Sequence, residues 1–272
     1  MSEEMVAQDY TKQSGIKIKK LLYLFLVLVV VIAVIIIYLF FFVNGNSTVR
    51  VGNGWNEVKG AAPYTVNGKV SFNFIGIEAC EYCAAERYAV LYALSNFGNW
   101  TYYGKAINLS NAPVSNLTAN PEPFSLFYHA AEGDWTFNFL NPHLSYQSDY
   151  VNFTESELLN NADQQLELPT RLDTEFLNRY DPSGSVPFTV IGGNFFEVGA
   201  GSSLLSNGHP IIFYSNGTGM LPEKIISAFN QSGSLINQGI SKEADYISAL
   251  ICKDINNVAP ACSRPEISRL EP

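Results

Sequence analysis

Hydrophobic positions divide this chain sharply. From Leu21 to Val43 there are 23 consecutive uncharged residues, almost all Leu, Val, Ile and Phe. As a helix at about 1.5 Å per residue this run would reach roughly 35 Å, against a hydrocarbon core of about 30 Å, so it predicts a membrane span. After it the pattern changes to short alternations. Val70, Phe72 and Phe74 alternate with Ser71 and Asn73, predicting a strand that Gly76 closes. Ala84 to Phe97 holds no Pro or Gly and predicts a helix stopped by Gly98. Extended segments are expected near Trp135 to Phe139 and Tyr150 to Phe153, followed by helix from Thr154 to Tyr180. Val186 to Val198 predicts two strands joined at Gly192-Gly193-Asn194. Helices are expected at Leu221 to Phe229, with Pro222 at its first position, and at Lys242 to Asn256.

Charge gives the apolar run a direction. Lys12, Lys17, Lys19 and Lys20 precede it and a polar segment follows, so the tail is expected in the cytoplasm and the remainder outside. The run is longer than the apolar core of a cleaved signal peptide, and no A-x-A-like site follows, so it is read as a retained anchor. The expected organisation is a cytosolic tail (1–20), a plasma-membrane signal anchor (21–43), a tether (44–67) and an extracytoplasmic domain (68–272) with an insertion at about 99–180. Sequons at Asn46, Asn99, Asn108, Asn116, Asn152, Asn216 and Asn230 all follow the run, consistent with a glycoprotein exterior. With the tail's four lysines and three acids set aside, 12 basic and 22 acidic side chains remain of 16 and 25, which argues against nucleic acid as a partner.

Cysteine carries the candidate chemistry. Cys80-Glu81-Tyr82-Cys83 sits where the first predicted strand meets its helix. A sulfur at a helix N-terminus faces unpaired N–H groups and the positive end of the dipole, which favours its thiolate. Cys80 is therefore the expected nucleophile and Cys83, one turn on, the resolving thiol. As a staple the pair would contribute only about 2 kcal/mol, whereas a Cys252–Cys262 bridge closes a larger loop worth roughly 3 kcal/mol and is read as structural. Zinc would need all four cysteines, or His129, His143 or His209 in place of one. The oxidising exterior and the C-x9-C spacing argue against that, so no metal is expected. The three histidines are read as surface or hydrogen-bonded residues. Glu86 and Arg87 are expected to be solvated or locally paired.

Strand, CxxC, helix and a distant Pro opening a strand resemble the thioredoxin-like superfamily. More closely, "FIGIEACEYCAAERY", "SVPFTVIGG" and "ISALICKD" resemble an archaeal family of membrane-anchored, extracytoplasmic thioredoxin-like proteins of unknown function, over most of residues 68 to 265. The resemblance implies a three-layer α/β thioredoxin-like fold with an insertion between the CxxC helix and the strand opened by Pro187. It also implies that Pro187 is a cis-proline facing the cysteines, with Val186, Glu81 and Tyr82 beside the client. The expected function is membrane-anchored thiol–disulfide exchange or isomerisation on the thiols and disulfides of exported proteins. It would work with a membrane redox partner and need no dissociable cofactor. The alternative is a non-catalytic binding or assembly module with two permanent disulfides. Two departures stand out: Glu81 replaces the proline common between the family's cysteines, and about 100 residues separate Cys83 from Pro187. An ionised Glu81 is expected to oppose thiolate formation at Cys80 and so to favour milder oxidation or isomerisation.

Overall fold

The computed structural model describes residues 23–36, 47–78, 80–102, 104–107, 144–160, 163–212, 220 and 222–272. The chain forms two units, residues 1–47 and 48–272. In the first, residues 23–36 are helical (α1) and exposed. Among the described residues no helix is long and apolar enough to cross a membrane. Residues 21, 22 and 37–43 of the expected anchor lie outside the described residues, as do the tail 1–20 and most of the insertion.

The second unit is a mixed α/β structure. Its strands and helices run β1 (Thr48–Gly52), β2 (Trp55–Val58), β3 (Thr65–Val66), β4 (Lys69–Gly76), α2 (Glu81–Leu94), β5 (Gly98–Tyr102), β6 (Lys105–Ile107), β7 (Leu144–Ser148) and β8 (Val151–Glu157). Then follow α3 (Arg171–Tyr180), β9 (Phe188–Ile191), β10 (Phe195–Val198), β11 (Leu205–Ser206), β12 (His209–Pro210), α4 (Pro222–Phe229), α5 (Leu235–Asp254) and α6 (Pro265–Ser268). The main sheet has the order β1-β2-β10-β9-β4-β3, with β8 also paired to β4. β4 is parallel to β8 and antiparallel to β9.

Period-2 alternation in β4 builds three layers. Val70, Phe72 and Phe74 enter one core with residues of α2 and α5. Ile75 enters a second core with Phe176 of α3, Phe188 and Val190. The side chains between them on β4 are polar and buried. Ser71 donates to Asn73 Oδ1 (2.6 Å), and Asn73 donates to Thr154 (2.8 Å) and to Asp173 Oδ1 (3.1 Å). Ser156 donates to Asp173 Oδ2 (2.8 Å). Asp173 also closes the capping box of α3 with Thr170.

Several expectations are corrected. The stretch expected as a tether contributes β1, β2 and β3 to the main sheet, because Trp55 and Val58 are buried and β2 pairs with β10. Gly98 is not the cap of α2; the helix ends at Leu94 with Ser95 capping, and Gly98 opens β5. A Cβ there would strike the Gln147 carbonyl oxygen and the Tyr146 ring, so close strand approach requires glycine. The helix expected from Thr154 begins only at Arg171, since residues 154–157 extend β8 alongside β4. The last long helix starts at Leu235, with the Ser234 side chain accepting from Asn237 N–H as its cap. The expected turn is present: Gly192 and Gly193 take φ of 56° and 66° between β9 and β10.

Candidate functional site

Gly76 ends β4, and the chain turns through Ile77 and Glu78 into Cys80, the N-cap of α2. The Cys80 sulfur accepts from the Cys83 backbone N–H at 3.1 Å. It thus occupies the place of a capping side-chain oxygen, among the unpaired donors of the first turn. Cys80 is half-buried and Cys83 is fully buried; both are free thiols.

The environment separates the two sulfurs. The Cys83 side chain holds the Cys80 thiol below its ordinary range; burial opposes this, and backbone donors and the Arg87 charge add to the lowering. Burial pushes Cys83 well up, and its hydrogen bond with Cys80 adds to that. The charge acting on Cys80 is Arg87, so the expected opposition from half-buried Glu81 does not set the direction.

Arg87 and Glu86 correct a further expectation, because both are buried rather than solvated. Arg87 reaches across sequence to Glu157 of β8, with Nε to Oε1 and Nη2 to Oε2 both at 2.6 Å, and Nη2 also donates to the Ile77 carbonyl (3.0 Å). A bidentate, fully dry pair of this kind fixes α2 against β8 and leaves a cation beneath the cysteines.

Val186–Pro187 is a cis peptide, and Pro187 is buried at the start of β9. The Cys80 thiol lies 3.7 Å from the Val186 carbonyl oxygen, to which it donates. The Tyr82 hydroxyl donates to Gly208 O (3.0 Å) in the turn between β11 and β12. Cys80, Cys83, Glu81, Tyr82, Val186 and Pro187 thus gather at one end of the main sheet. Cys252 and Cys262 stand apart, disulfide-bonded with Cα atoms 5.5 Å apart, joining α5 to the turn before α6. His209 is exposed, and His129 and His143 lie outside the described residues. A polar cavity lined by Lys69, Asn99, Gln147 and Asp149 shares none of these residues.

Sequence reasoning missed a second cluster. Glu86 of α2, Glu197 of β10 and Glu243 of α5 are all fully buried and bring carboxylate oxygens within 4.8 Å of one another. Their separation along the chain leaves no spacing motif to read.

A half-buried thiol capping a helix, above a buried one and against the carbonyl preceding a cis-proline, defines a mixed α/β protein with a free CxxC pair. Residues 58–172 match a family described as a domain of unknown function, DUF929, and that match includes both cysteines. No curated protein and no solved structure matches the chain.

Proposed function

We propose that this protein is a membrane-anchored, extracytoplasmic thiol–disulfide oxidoreductase or isomerase with a thioredoxin-like fold, acting on exported proteins through Cys80 and Cys83. The observation that carries the reading is the Cys80 sulfur, at the N-cap of α2 with its pKa lowered and 3.7 Å from the Val186 carbonyl. Support for the fold comes from element order: β4, CxxC helix, parallel β8, α3, Pro187, the antiparallel pair β9 and β10, then α5. The anchor rests on the apolar run 21–43 and the lysines before it.

In the reducing direction, Cys80 thiolate attacks one sulfur of a client disulfide, forming a mixed disulfide and releasing the other client sulfur as a thiolate. Cys83 then loses its proton and attacks the Cys80 sulfur. That step forms the Cys80–Cys83 disulfide and frees the client's second thiolate; two electrons pass from protein to client, and protons return to the released thiolates. The reverse sequence oxidises a client dithiol. A membrane dithiol or disulfide partner resets the pair. Val186, Glu81 and Tyr82 flank the approach to Cys80, and Pro187 backs it.

A Cys83→Ser variant tests this directly. Mixed disulfides with exported proteins should accumulate on Cys80, visible as reductant-sensitive adducts that vanish in Cys80→Ser. A wild-type Cys80–Cys83 disulfide that resists mild reductant, with no adducts on the Cys83→Ser chain, would instead establish the permanent-disulfide binding module.

A further inference from the structure

Three carboxylates share one buried space in the second unit, yet only one of them is well supplied with donors. Glu243 accepts from Trp55 Nε1 (2.9 Å), Ser203 Oγ (3.1 Å) and the Asn53 side-chain amide. Glu86 accepts at Oε2 from Gly201 N–H (3.1 Å), while its Oε1 accepts nothing. Neither oxygen of Glu197 accepts a hydrogen bond, although the side chain is fully buried. Among the described residues no lysine or arginine forms an ion pair with any of the three. Arg50 and Lys242 act on Glu197 and Glu243 respectively only through their charge.

The backbone around the cluster leaves room for these oxygens. A Cβ on Gly54 would overlap Glu197 Oε1, and one on Gly201 would overlap the Glu243 carboxylate. Gly54 also sits at φ 108°, where other residues are strained. Three buried carboxylates converging from three elements, with Glu86 Oε1 and both Glu197 oxygens free of donors, match the oxygen ligand set of a hard cation. Mg2+ dehydrates reluctantly and keeps several waters, whereas Ca2+ accepts multiple carboxylates in flexible geometry. Three fully buried carboxylates whose oxygens lie within 4.8 Å of one another therefore suit Ca2+.

We propose that Glu86, Glu197 and Glu243 form a Ca2+-binding site that ties α2, β10 and α5 together. This site is separate from the disulfide-exchange reading and stands without it. Bound calcium would supply the positive charge that the cluster lacks and hold the CxxC helix to the C-terminal half of the sheet.

The test uses the full chain in detergent, stripped with a chelator. CaCl2 should raise Tm by about 5–10 °C at saturation, and MgCl2 by less. Glu197→Gln, and equally Glu86→Gln, should melt cooperatively and lose the calcium shift. Tb3+ offers a readout on the wild-type chain that needs no cluster variant to fold. Excitation of Trp55 beside Glu243 should sensitise terbium emission, which excess Ca2+ should remove and Trp55→Phe should greatly reduce. Absence of a calcium shift, a shift equalled by Mg2+ or retained in both glutamine variants, or terbium emission insensitive to Ca2+ would each overturn the site. A cluster that only shares protons would show no cation effect at all, which has the same consequence.

Discussion

At the scale of single residues, the contrast between Cys80 and Cys83 comes from a few neighbours. Arg87 is the one whose contribution can be isolated, because its guanidinium is held by Glu157 rather than by either cysteine. Replacing Arg87 with Met leaves Glu157 buried and unpaired, with an expected loss of about 3–5 kcal/mol in denaturant melts. Arg87→Met with Glu157→Leu removes both charges and should recover most of that stability. In the double variant the Cys80 pKa should still lie above the wild-type value, read from the pH dependence of its alkylation rate. An unchanged alkylation profile would show that Arg87 does not act on the thiolate. The spacing Cys80-x-x-Cys83 and its place before a helix were legible in the sequence, since both are local. Arg87 was not, because its partner lies 70 residues away and a charged residue on a helix reads as solvated until the tertiary partner is known.

Elements were legible where local pattern and tertiary environment agree. β4 has clean alternation, and the glycine pair after Ile191 marks its turn without ambiguity. Disagreement appears at Thr154-Glu155-Ser156-Glu157, whose polar composition gives no strand signal. These residues become strand because β4 offers a full row of parallel hydrogen-bonding partners, and because Glu157 and Ser156 meet buried partners on α2 and α3. Gly98 illustrates the same limit: a glycine after a helical run reads as a cap, yet its φ is not left-handed and its neighbours are strand β7. Gly98→Ala should therefore destabilise by about 1–3 kcal/mol through the clash with Gln147 and Tyr146. A cap glycine held at left-handed φ would cost about 1 kcal/mol or less on the same change. Equilibrium unfolding of the variant separates the two, and a neutral result would contradict the close approach of β5 and β7.

For the molecule as a whole, buried acids set a pH dependence. Burial pushes Asp254 up from 3.8 to about 7 and Glu243 up from 4.5 to about 7, and it raises Glu86 and Glu197 as well. Each keeps a proton in the folded state that the unfolded chain has already released. Stability is thus fullest near the ordinary carboxylate range and falls as pH rises from about 4.5 through about 7. Glu57 works the other way: burial raises it, but Lys59 and Lys253 pull it lower still, so its contribution fades as pH drops below that range. In chelator, Tm should peak near pH 5 and decline toward pH 7, with Asp254→Asn flattening part of the slope. A Tm that holds steady or climbs over that interval would refute the assignment.

β4 poses a problem that apolar burial alone cannot solve, since seven of its eight residues are buried and hydrophobic contact is available on either side. The Ser71, Asn73, Thr154, Ser156 and Asp173 chain distinguishes the two faces. Sliding β8 by a single position would rotate Thr154 and Ser156 away from their partners and strand the Asp173 carboxylate in a dry interior. The sheet is thereby proofread by polarity: a misaligned version forfeits several hydrogen bonds at once, so the geometry that seats Cys80 beneath Val186 has no nearby competitor.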